Sequence, residues 1–256
     1  MTQLENFTLG QWSPGDGEGS LQFNAITGEA IHSASSEGLD FAKMYQFARS
    51  VGGPALRKMT FHERGRMLKA LALFLLENKE KYYQISHLTG ATRADSWVDI
   101  EGGIGNLFAN ASLRRRLPDE PFCLDGEQIK SSAEGSFIGQ HILVPKQGVA
   151  VHINAFNFPI WGMLEKVAVN FLAGVPAIVK ASEQTSFLTE AVVRDIISAD
   201  ILPKGSLQLV VGHGIGILNP VTEQDVVTFT GSAATGQKLR AHPANGRRGR
   251  GGGERA

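Results

Sequence analysis

The sequence lacks several features that define whole classes of protein. It has one cysteine, Cys123, so no disulfide can form within the chain, which is typical of a reducing compartment. No stretch approaches the roughly 20 apolar residues of a membrane-spanning helix. Residues 1–12 include Glu5 and no long apolar run, unlike a secretory signal. We therefore expect a cytoplasmic protein with no membrane partner.

The chain also lacks a net charge, since it has 25 Lys and Arg and 25 Asp and Glu. The basic excess is confined to residues 246–256, GRRGRGGGERA, which hold four Arg and one Glu. The preceding residues hold 21 basic and 24 acidic side chains, so we expect no nucleic-acid partner. The seven His show no metal-ligand spacing, and no metal site is expected.

What is present is the composition of a globular protein, with 256 residues, 42% hydrophobic and 20% charged. Residues 1–35 are rich in Gly and Ser and predict loops and short strands. Thr60 and Glu63 form a capping-box pattern ahead of apolar residues at helical spacing. Further helices are predicted over Lys79–Leu88 and Asp95–Leu113, before Pro118 and Pro121 break the pattern.

The second part of the chain alternates between strands and helices. Residues 136–145 and 148–153 are β-rich and flank a turn at Lys146 and Gln147. Strands are then predicted over Val149–Ile153, Ala177–Lys180, Leu207–Val211 and Val226–Thr230. Helices are predicted over Ile160–Leu172 and Phe187–Ala199, near Ile215–Asn219, and after Ser232. This alternation predicts a parallel sheet with βαβ crossovers, an α/β fold.

Three predicted strand ends carry candidate functional residues, because open α/β sheets bind ligands beyond the carboxyl ends of their strands. Asn157 offers an amide donor beside a helix N-terminus, where it could stabilise negative charge on oxygen. The pattern alone favours a simpler role, that of a helix cap. Lys180 and Glu183 could hold ribose hydroxyls, or they could form a solvated surface pair, which in isolation is the commoner case.

The third strand end is the Gly231–Ser232 turn, where a glycine and a helix N-terminus suit a phosphate. It is not a G-x-G-x-x-G fingerprint, and alone it is a weak signal. The VGHGIG segment, residues 211–216, lacks the Lys of a P-loop and predicts a plain strand-to-helix turn. Cys123 precedes Leu124, Asp125 and Gly126, which predicts a turn and a structural thiol.

Taken together, FNFP (156–159), K-x-x-E (180–183) and FTGS (229–232) resemble the aldehyde dehydrogenase superfamily in order and spacing. The resemblance covers residues 1 to about 243. Residues 90–108, 149–166 and 225–237 resemble, more narrowly, the bifunctional ring-opening proteins of bacterial phenylacetate degradation. Those proteins join an aldehyde dehydrogenase domain to a hydratase-like domain, and the dehydrogenase domain oxidises a CoA-linked semialdehyde to an acid.

The resemblance implies a role for each matching residue. Asn157 corresponds to the side-chain donor of the oxyanion hole, and Lys180 and Glu183 to the contacts with the adenosine ribose. Gly231 and Ser232 correspond to the turn near the pyrophosphate, and the remaining cofactor-lining positions are Phe229, Ile153 and Gly214. A carboxylate at the ribose favours NAD, whereas the ring-opening proteins are associated with NADP, so the sequence leaves NAD or NADP open.

The resemblance also implies four regions. We expect an N-terminal helical part of the cofactor domain over 1–118, a β-rich oligomerisation arm over 119–148 and a Rossmann-like core over 149–243. Residues 244–256 are expected to be a disordered, out-of-frame tail, since nine of the eleven residues from 246 onward are Gly or Arg.

The family's general-base Glu and nucleophilic Cys lie downstream of FTGS, and nothing here matches them. We therefore expect a truncated chain, its catalytic domain absent, that does not oxidise aldehydes by itself. The full-length protein is expected to take an aldehyde substrate, such as a CoA thioester, and to form a homo-oligomer. The alternative is a non-catalytic fragment that binds a dinucleotide or pairs with another subunit.

Overall fold

The computed structural model describes residues 2–246, and its first part consists of short strands. These are β1 (Thr2–Gln3), β2 (Glu5–Thr8), β3 (Gln11–Pro14), β4 (Ser20–Phe23) and β5 (Ala30–Ala34). Strands β1, β5 and β4 form a separate three-stranded sheet. The tight β2–β3 turn uses left-handed backbone at Leu9 and Gly10, with φ of 55° and 82°. The predicted loops and short strands are thus confirmed.

Helices follow, and those behind Thr60, over residues 79–88 and over residues 95–113 were predicted with similar bounds. They are α1 (Phe41–Phe47), a π-helical turn (Ala48–Gly52), α2 (Gly53–Lys58), α3 (Phe61–Glu77), α4 (Lys79–His87) and α5 (Arg93–Ser112). Both hydrogen bonds of the predicted capping box are present: the Thr60 side chain accepts from the Glu63 N–H, and the Glu63 side chain accepts from the Thr60 N–H. A second capping box, Thr92 with Asp95, starts α5 two residues before the predicted position, since Asp95 is the third helical residue and not the first.

The segment after α5 contains an isolated antiparallel hairpin, β6 (Cys123–Lys130) with β7 (Ile138–Leu143). We call this hairpin the arm. The turn predicted at Cys123–Gly126 is wrong, because Cys123 lies in β6 and pairs with Leu143. Within the β-rich residues 136–145, residues 138–143 pair with β6, and the strand that follows Lys146 and Gln147 joins the main sheet instead.

The main sheet and its helices complete the fold. Their bounds are β8 (Ala150–Ile153), α6 (Pro159–Leu172), β9 (Ala177–Lys180), α7 (Ser186–Ser198), β10 (Leu207–Val210), β11 (Val226–Phe229), α8 (Ala233–Arg240) and α9 (Pro243–Gly246). The strand order is β11-β8-β9-β10-β2-β3. The four predicted strands are parallel neighbours, which confirms the α/β prediction. The β2–β3 hairpin extends the sheet antiparallel to β10.

The helix predicted near Ile215–Asn219 is wrong. Residues 215–220 form consecutive turns, and Gly212, Gly214 and Gly216 have φ of 82°, 65° and 86°. Left-handed backbone at alternate positions prevents the right-handed i to i−4 hydrogen bonds of a helix. Of the predicted tail, residues 244–246 lie in α9, and residues 247–256 are outside the described part of the chain.

Both faces of the main sheet are covered. Ala177 and Val179 of β9 pack in the core formed with α3, α5, α6 and α7, whereas Ile178 packs on the other face with Met44 and Tyr45 of α1. This alternation follows from the two-residue period of a strand. Each fully buried aliphatic side chain contributes roughly 1.5–3 kcal/mol, so these layers fix the strand ends in place. No helix within residues 2–246 is both long and apolar enough to cross a membrane.

Candidate cofactor site

The candidate residues lie at the carboxyl edge of the main sheet because the strands are in register. Phe229, Ile153, Lys180 and Val210 are consecutive Cα partners across β11, β8, β9 and β10. The backbone N–H of Thr230 donates to the Ile153 carbonyl at 3.0 Å, which continues the ladder one residue beyond the strands. The edge formed by these residues is where open parallel sheets bind their ligands.

Asn157 lies in the exposed loop between β8 and α6. The cap role that the sequence pattern favoured is wrong, because the N-cap position of α6 is Phe158 and the first helical N–H groups have another acceptor. Ile160 and Trp161 donate their backbone N–H groups to Oδ1 of Asp99 on α5, at 3.0 and 2.7 Å. Among residues 2–246 the Asn157 side chain has no hydrogen-bond partner, so its amide is free to bind a ligand.

Asp99 is a buried carboxyl that fixes the position of the Asn157 loop. Burial raises the pKa of Asp99 to about 7, and the backbone N–H groups of Trp161 and Ile160 oppose this shift. No sequence pattern singles out Asp99, since an acidic residue within an amphipathic helix is most often solvated. Only the packing of α5 against α6 places it at the start of α6.

A cavity of about 360 Å³ adjoins Asn157. Its lining joins the β8–α6 loop, α6 and the end of β11 through Asn157, Phe158, Trp161 and Thr230. Because its walls are mainly apolar around one free amide, the cavity suits a small ligand with a polar oxygen.

Lys180 and Glu183 are not a solvated surface pair, since their side chains are only 12% and 26% exposed. The Lys180 Nζ lies 3.8 Å from Glu183 Oε1. Burial lowers the pKa of Lys180, and the Glu183 carboxylate opposes this shift. Lys180 is the last residue of β9 and Glu183 follows it, so hydroxyl groups of a ligand at this strand end could bond to the carboxylate and the ammonium.

Two further residues, which no sequence pattern indicated, lie beside Lys180 and Glu183. His213 Nδ1 lies 2.9 Å from Glu183 Oε1, and Ser20 Oγ lies 3.4 Å from Glu183 Oε2 and 3.0 Å from His213 Nε2. We call Ser20, Lys180, Glu183 and His213 the Glu183 cluster. Ser20 lies on β4, far away in the sequence, so no local pattern could have identified it.

Position 214, beside the Glu183 cluster, requires a glycine. Its φ of 65° is left-handed, and a Cβ at this position would lie 3.1 Å from the Lys180 side chain. At the other end of the row, a Cβ on Gly231 would lie 2.4 Å from the Phe229 ring, so only glycine lets the chain turn over that ring. Ser232 follows and caps α8, its Oγ accepting from the Thr235 N–H at 3.2 Å.

The arrangement fits an adenine dinucleotide. Lys180 and Glu183 offer a cation and a carboxylate for ribose hydroxyls, the glycine turn before α8 lets a phosphate approach backbone N–H groups, and Asn157 lies beside a separate cavity. Residues 2–246 contain no group of three or more His, Cys, Asp or Glu side chains that could hold a metal ion. The sheet edge brings the three predicted strand ends together, as their register requires.

Comparison with known sequences identifies relatives over nearly the whole chain. The model of the aldehyde dehydrogenase family matches residues 12–250. A 3,4-dehydroadipyl-CoA semialdehyde dehydrogenase from Aromatoleum evansii is 41% identical over 242 residues, 94% of this chain and 47% of the relative. A D-glyceraldehyde dehydrogenase (NADP(+)) from Picrophilus torridus is 27% identical over 236 residues, 91% of this chain and 44% of the relative.

Solved structures show the same fold. A lactaldehyde dehydrogenase matches with a TM-score of 0.80 and 22% identity, over 96% of this chain and 50% of that one. A betaine aldehyde dehydrogenase from Staphylococcus aureus, in complex with NAD+, matches with a TM-score of 0.76 and 23% identity, over 94% and 48%. The chain therefore spans about half the length of the relatives that it matches.

Proposed function

The chain belongs to the aldehyde dehydrogenase family, and on that basis we propose that it is the cofactor-binding part of an NAD- or NADP-dependent aldehyde dehydrogenase. The observation that supports this most is the single row of strand ends, Phe229, Ile153 and Lys180, with Glu183 and Gly231 immediately beyond it. A sheet edge of this kind holds a dinucleotide in an extended position across several strands.

Each end of the row has its own part in binding. Lys180 and Glu183 hold the adenosine ribose, with Gly214 packed against Lys180. Gly231 and Ser232 hold the pyrophosphate, since the N–H groups at the start of α8 point at an approaching anion. Ile153 and Phe229 line the floor between these two positions.

The bound cofactor would accept hydride from the substrate. Asn157 donates its amide N–H to the oxygen of the aldehyde carbonyl, where negative charge develops. The chemistry also needs a thiolate nucleophile, and the chain's one thiol is Cys123. Cys123 lies on β6 of the arm and does not line the cavity beside Asn157. This chain therefore supplies the cofactor site and the oxyanion donor but not the nucleophile.

We further propose a CoA-linked semialdehyde as the substrate of the whole enzyme. Support comes from the 41% identity to the semialdehyde dehydrogenase of Aromatoleum evansii, and from the resemblance of residues 90–108 to the ring-opening proteins of phenylacetate degradation. A polypeptide that joins this segment to a nucleophilic domain is expected to oxidise a CoA-linked semialdehyde with higher kcat/KM than the free semialdehyde. Equal values would contradict the substrate assignment.

The test of the main proposal is dinucleotide binding to the purified chain. Calorimetric titration with NAD and with NADP is expected to give binding of at least one, with loss of affinity in Lys180→Ala and Glu183→Ala. Asp125→Ala on the exposed arm is the matched control. The same preparation is expected to produce no NADH or NADPH from an aldehyde. Absence of binding by either dinucleotide, or measurable oxidation, would contradict the proposal.

The arm supports a second candidate function, pairing with another subunit. It pairs with no other strand within the described residues, and its apolar side chains are exposed: Leu124, Ile129, Phe137, Ile138, Ile142 and Leu143. Unpaired strand edges with apolar side chains favour pairing with a second chain. Light scattering after size exclusion is expected to give a dimer or larger species, and Ile142→Asp is expected to shift it to monomer. A wild-type monomer would contradict this function.

A further inference from the structure

Two cavities on the α6 side of the main sheet form one continuous groove. The smaller is the cavity of about 360 Å³ beside Asn157, and the larger has a volume of about 710 Å³. Glu165 of α6 lines both, so the two cavities adjoin. On β11, Thr230 lines the smaller cavity, whereas Val226 and Thr228 line the larger. The groove therefore begins at Asn157 and follows β11 towards its amino end.

The walls of the groove are one face of α5 and one face of α6. Side chains four residues apart lie on the same face of a helix. The lining residues follow that spacing, with Val98, Asn106 and Asn110 on α5 and Trp161, Glu165, Val169 and Ala173 on α6. Those of α5 are half-buried, while Val169 and Ala173 are exposed. The groove is thus open to a ligand along its length.

The length of the groove suits an extended chain. Trp161 and Ala173, at the two ends of the α6 wall, are separated by roughly 18 Å, since a helix rises about 1.5 Å per residue. An extended peptide-like chain covers about 3.3–3.6 Å per unit, so roughly five units fit. The acyl chain and the pantetheine arm of a CoA thioester form an extended chain of this kind, in which two amides alternate with apolar segments.

The polar groups along the groove suit those amides. The side-chain N–H groups of Asn106 and Asn110 donate to α5 carbonyls at 3.0 Å, which leaves their oxygens as acceptors. Asn170 and Thr228 also line the larger cavity, and within residues 2–246 their buried oxygens Oδ1 and Oγ1 have no hydrogen-bond partner. A ligand that carries amides offers hydrogen bonds to such groups, whereas a hydrocarbon chain would leave them unpaired.

A cation lies at the end of the groove that is remote from Asn157. Lys146 lines the larger cavity just before β8 begins, at the opposite edge of the sheet from Asn157. Its Nζ donates to the Glu223 backbone carbonyl at 3.4 Å, and it forms no ion pair in the part of the chain that the structure describes. Lys166, the other cation of the lining, is paired with Glu165 at 3.0 Å. Lys146 therefore offers an unbalanced positive charge, which favours a phosphate.

We infer that the groove between α5 and α6 binds the acyl-pantetheine chain of a CoA-linked substrate, with the aldehyde at Asn157 and the phosphates at Lys146. This inference rests on the proposed CoA-linked semialdehyde and goes beyond it by assigning the side chains that recognise the CoA arm. The dinucleotide is proposed to bind at Lys180 and Glu183 on the other side of β8, so both ligands can be held at once.

The test uses S-acetylpantetheine and acetyl-CoA as probes, titrated calorimetrically into the whole chain with NADP at saturation, so that the adenosine of acetyl-CoA cannot enter the dinucleotide site. Val169→Trp narrows the groove from its exposed wall, and we expect both probes to bind at least about fivefold more weakly. Leu73→Trp, at an exposed position of α3 outside the groove, is the matched control. Circular dichroism and unchanged NADP affinity establish that each variant is folded.

A second variant tests the phosphate end. In Lys146→Gln we expect acetyl-CoA to bind about threefold or more weakly and S-acetylpantetheine to change by less than about twofold, because only the first probe carries phosphates. Lys130→Gln on the exposed arm is the control for the loss of a charge. Equal losses for the two probes in Lys146→Gln would overturn the placement of the phosphates.

The outcomes separate this inference from the proposed function. Weaker binding of both probes in Val169→Trp, with the control unchanged, supports the groove. If Val169→Trp binds both probes as the wild type does, the pantetheine arm lies elsewhere and the inference is wrong, while the CoA-linked substrate stands. If the wild type binds NADP but neither probe, the inference is wrong and the dinucleotide site stands.

Discussion

The two ends of the row of strand ends differ in how completely this chain surrounds them. At Lys180 and Glu183, side chains from β4, from β9 and from the segment that follows β10 meet, and the strands β9 and β10 have neighbours on both sides. At Asn157 and Gly231 the loops are exposed, and β11 has a neighbour only in β8 among the described strands. The end at Lys180 and Glu183, where we propose that the ribose binds and which we call the ribose end, is therefore preorganised, whereas the Asn157 loop makes few contacts.

This difference indicates which end of the row can bind a nucleotide in the isolated chain. A preorganised site loses little entropy when it binds, so the ribose end has the better prospect of holding a nucleotide unaided. The Asn157 loop is held by the buried Asp99 of α5, which accepts from the first N–H groups of α6, whereas β11 is held at its amino end, at the opposite edge of the sheet, by the buried Asp225 carboxylate. Substitutions at these carboxylates and in the neighbouring strands test the comparison.

The largest effect is expected from Asp225→Ala. The buried Asp225 carboxylate accepts from the N–H groups of Val149 and Thr222, both at 2.7 Å, and pairs with Arg49. Removing one partner of a buried ion pair costs roughly 3–5 kcal/mol. Urea denaturation is expected to show a loss of that order, with Asp125→Ala on the arm within about 0.5 kcal/mol of wild type. Equal effects would show that β11 is not attached through Asp225.

A pH-dependent effect is expected from Asp99. Its folded pKa of about 7 is raised above the ordinary 3.8 by burial, so the folded state keeps a proton that the unfolded state has lost. This contribution is therefore full below about pH 4 and is lost as the pH rises toward 7. Between pH 5 and 7, wild type is expected to lose about 2 kcal/mol more than Asp99→Asn, which keeps an acceptor oxygen but cannot ionise. Parallel stability curves from denaturation at each pH would contradict this.

A smaller difference separates matched valines on neighbouring parts of the sheet. Val179 of β9 is fully buried, whereas Val227 of β11 is only partly buried. Val179→Ala is expected to cost about 2 kcal/mol and Val227→Ala less than about 1 kcal/mol, because the loss scales with the apolar area removed from water. Denaturation midpoints measure both. A larger loss at Val227 would reverse the comparison.

The smallest effect concerns two helix caps. Thr60→Ala removes the cap of α3, which has buried residues throughout, and is expected to cost about 1 kcal/mol of global stability. Ser232→Ala removes the cap of α8, which buries none of its residues, so we expect local fraying with no shift of the denaturation midpoint. Amide exchange of α8 measures the fraying. A midpoint shift in Ser232→Ala equal to that of Thr60→Ala would contradict the exposed state of α8.

Sequence alone predicted the features that depend on local pattern. The apolar strands with helices between them predicted the parallel sheet, and in-register pairing then brought Ile153, Lys180 and Phe229 together without further information. The capping box at Thr60 was equally local. The site residues at strand ends were foreseeable because their position in the sheet follows from the order of the chain.

The remaining features depend on contacts between distant segments. Nothing local distinguishes β2, which pairs with β10 some 200 residues later, from other short strands. Ser20 and His213 meet at Glu183 only after the separate N-terminal sheet has docked. The pattern near Ile215 predicts a helix where the chain forms turns, because hydrophobic periodicity does not reveal which glycines adopt left-handed backbone.

The most direct measurement is amide hydrogen exchange of the purified chain with and without saturating NADP. We expect added protection in residues 180–185 and 211–216, which form the ribose end, and unchanged exchange in residues 154–158 around Asn157. Protection confined to residues 154–158, or none at any site, would contradict the claim that the ribose end is the part of the site that this chain completes.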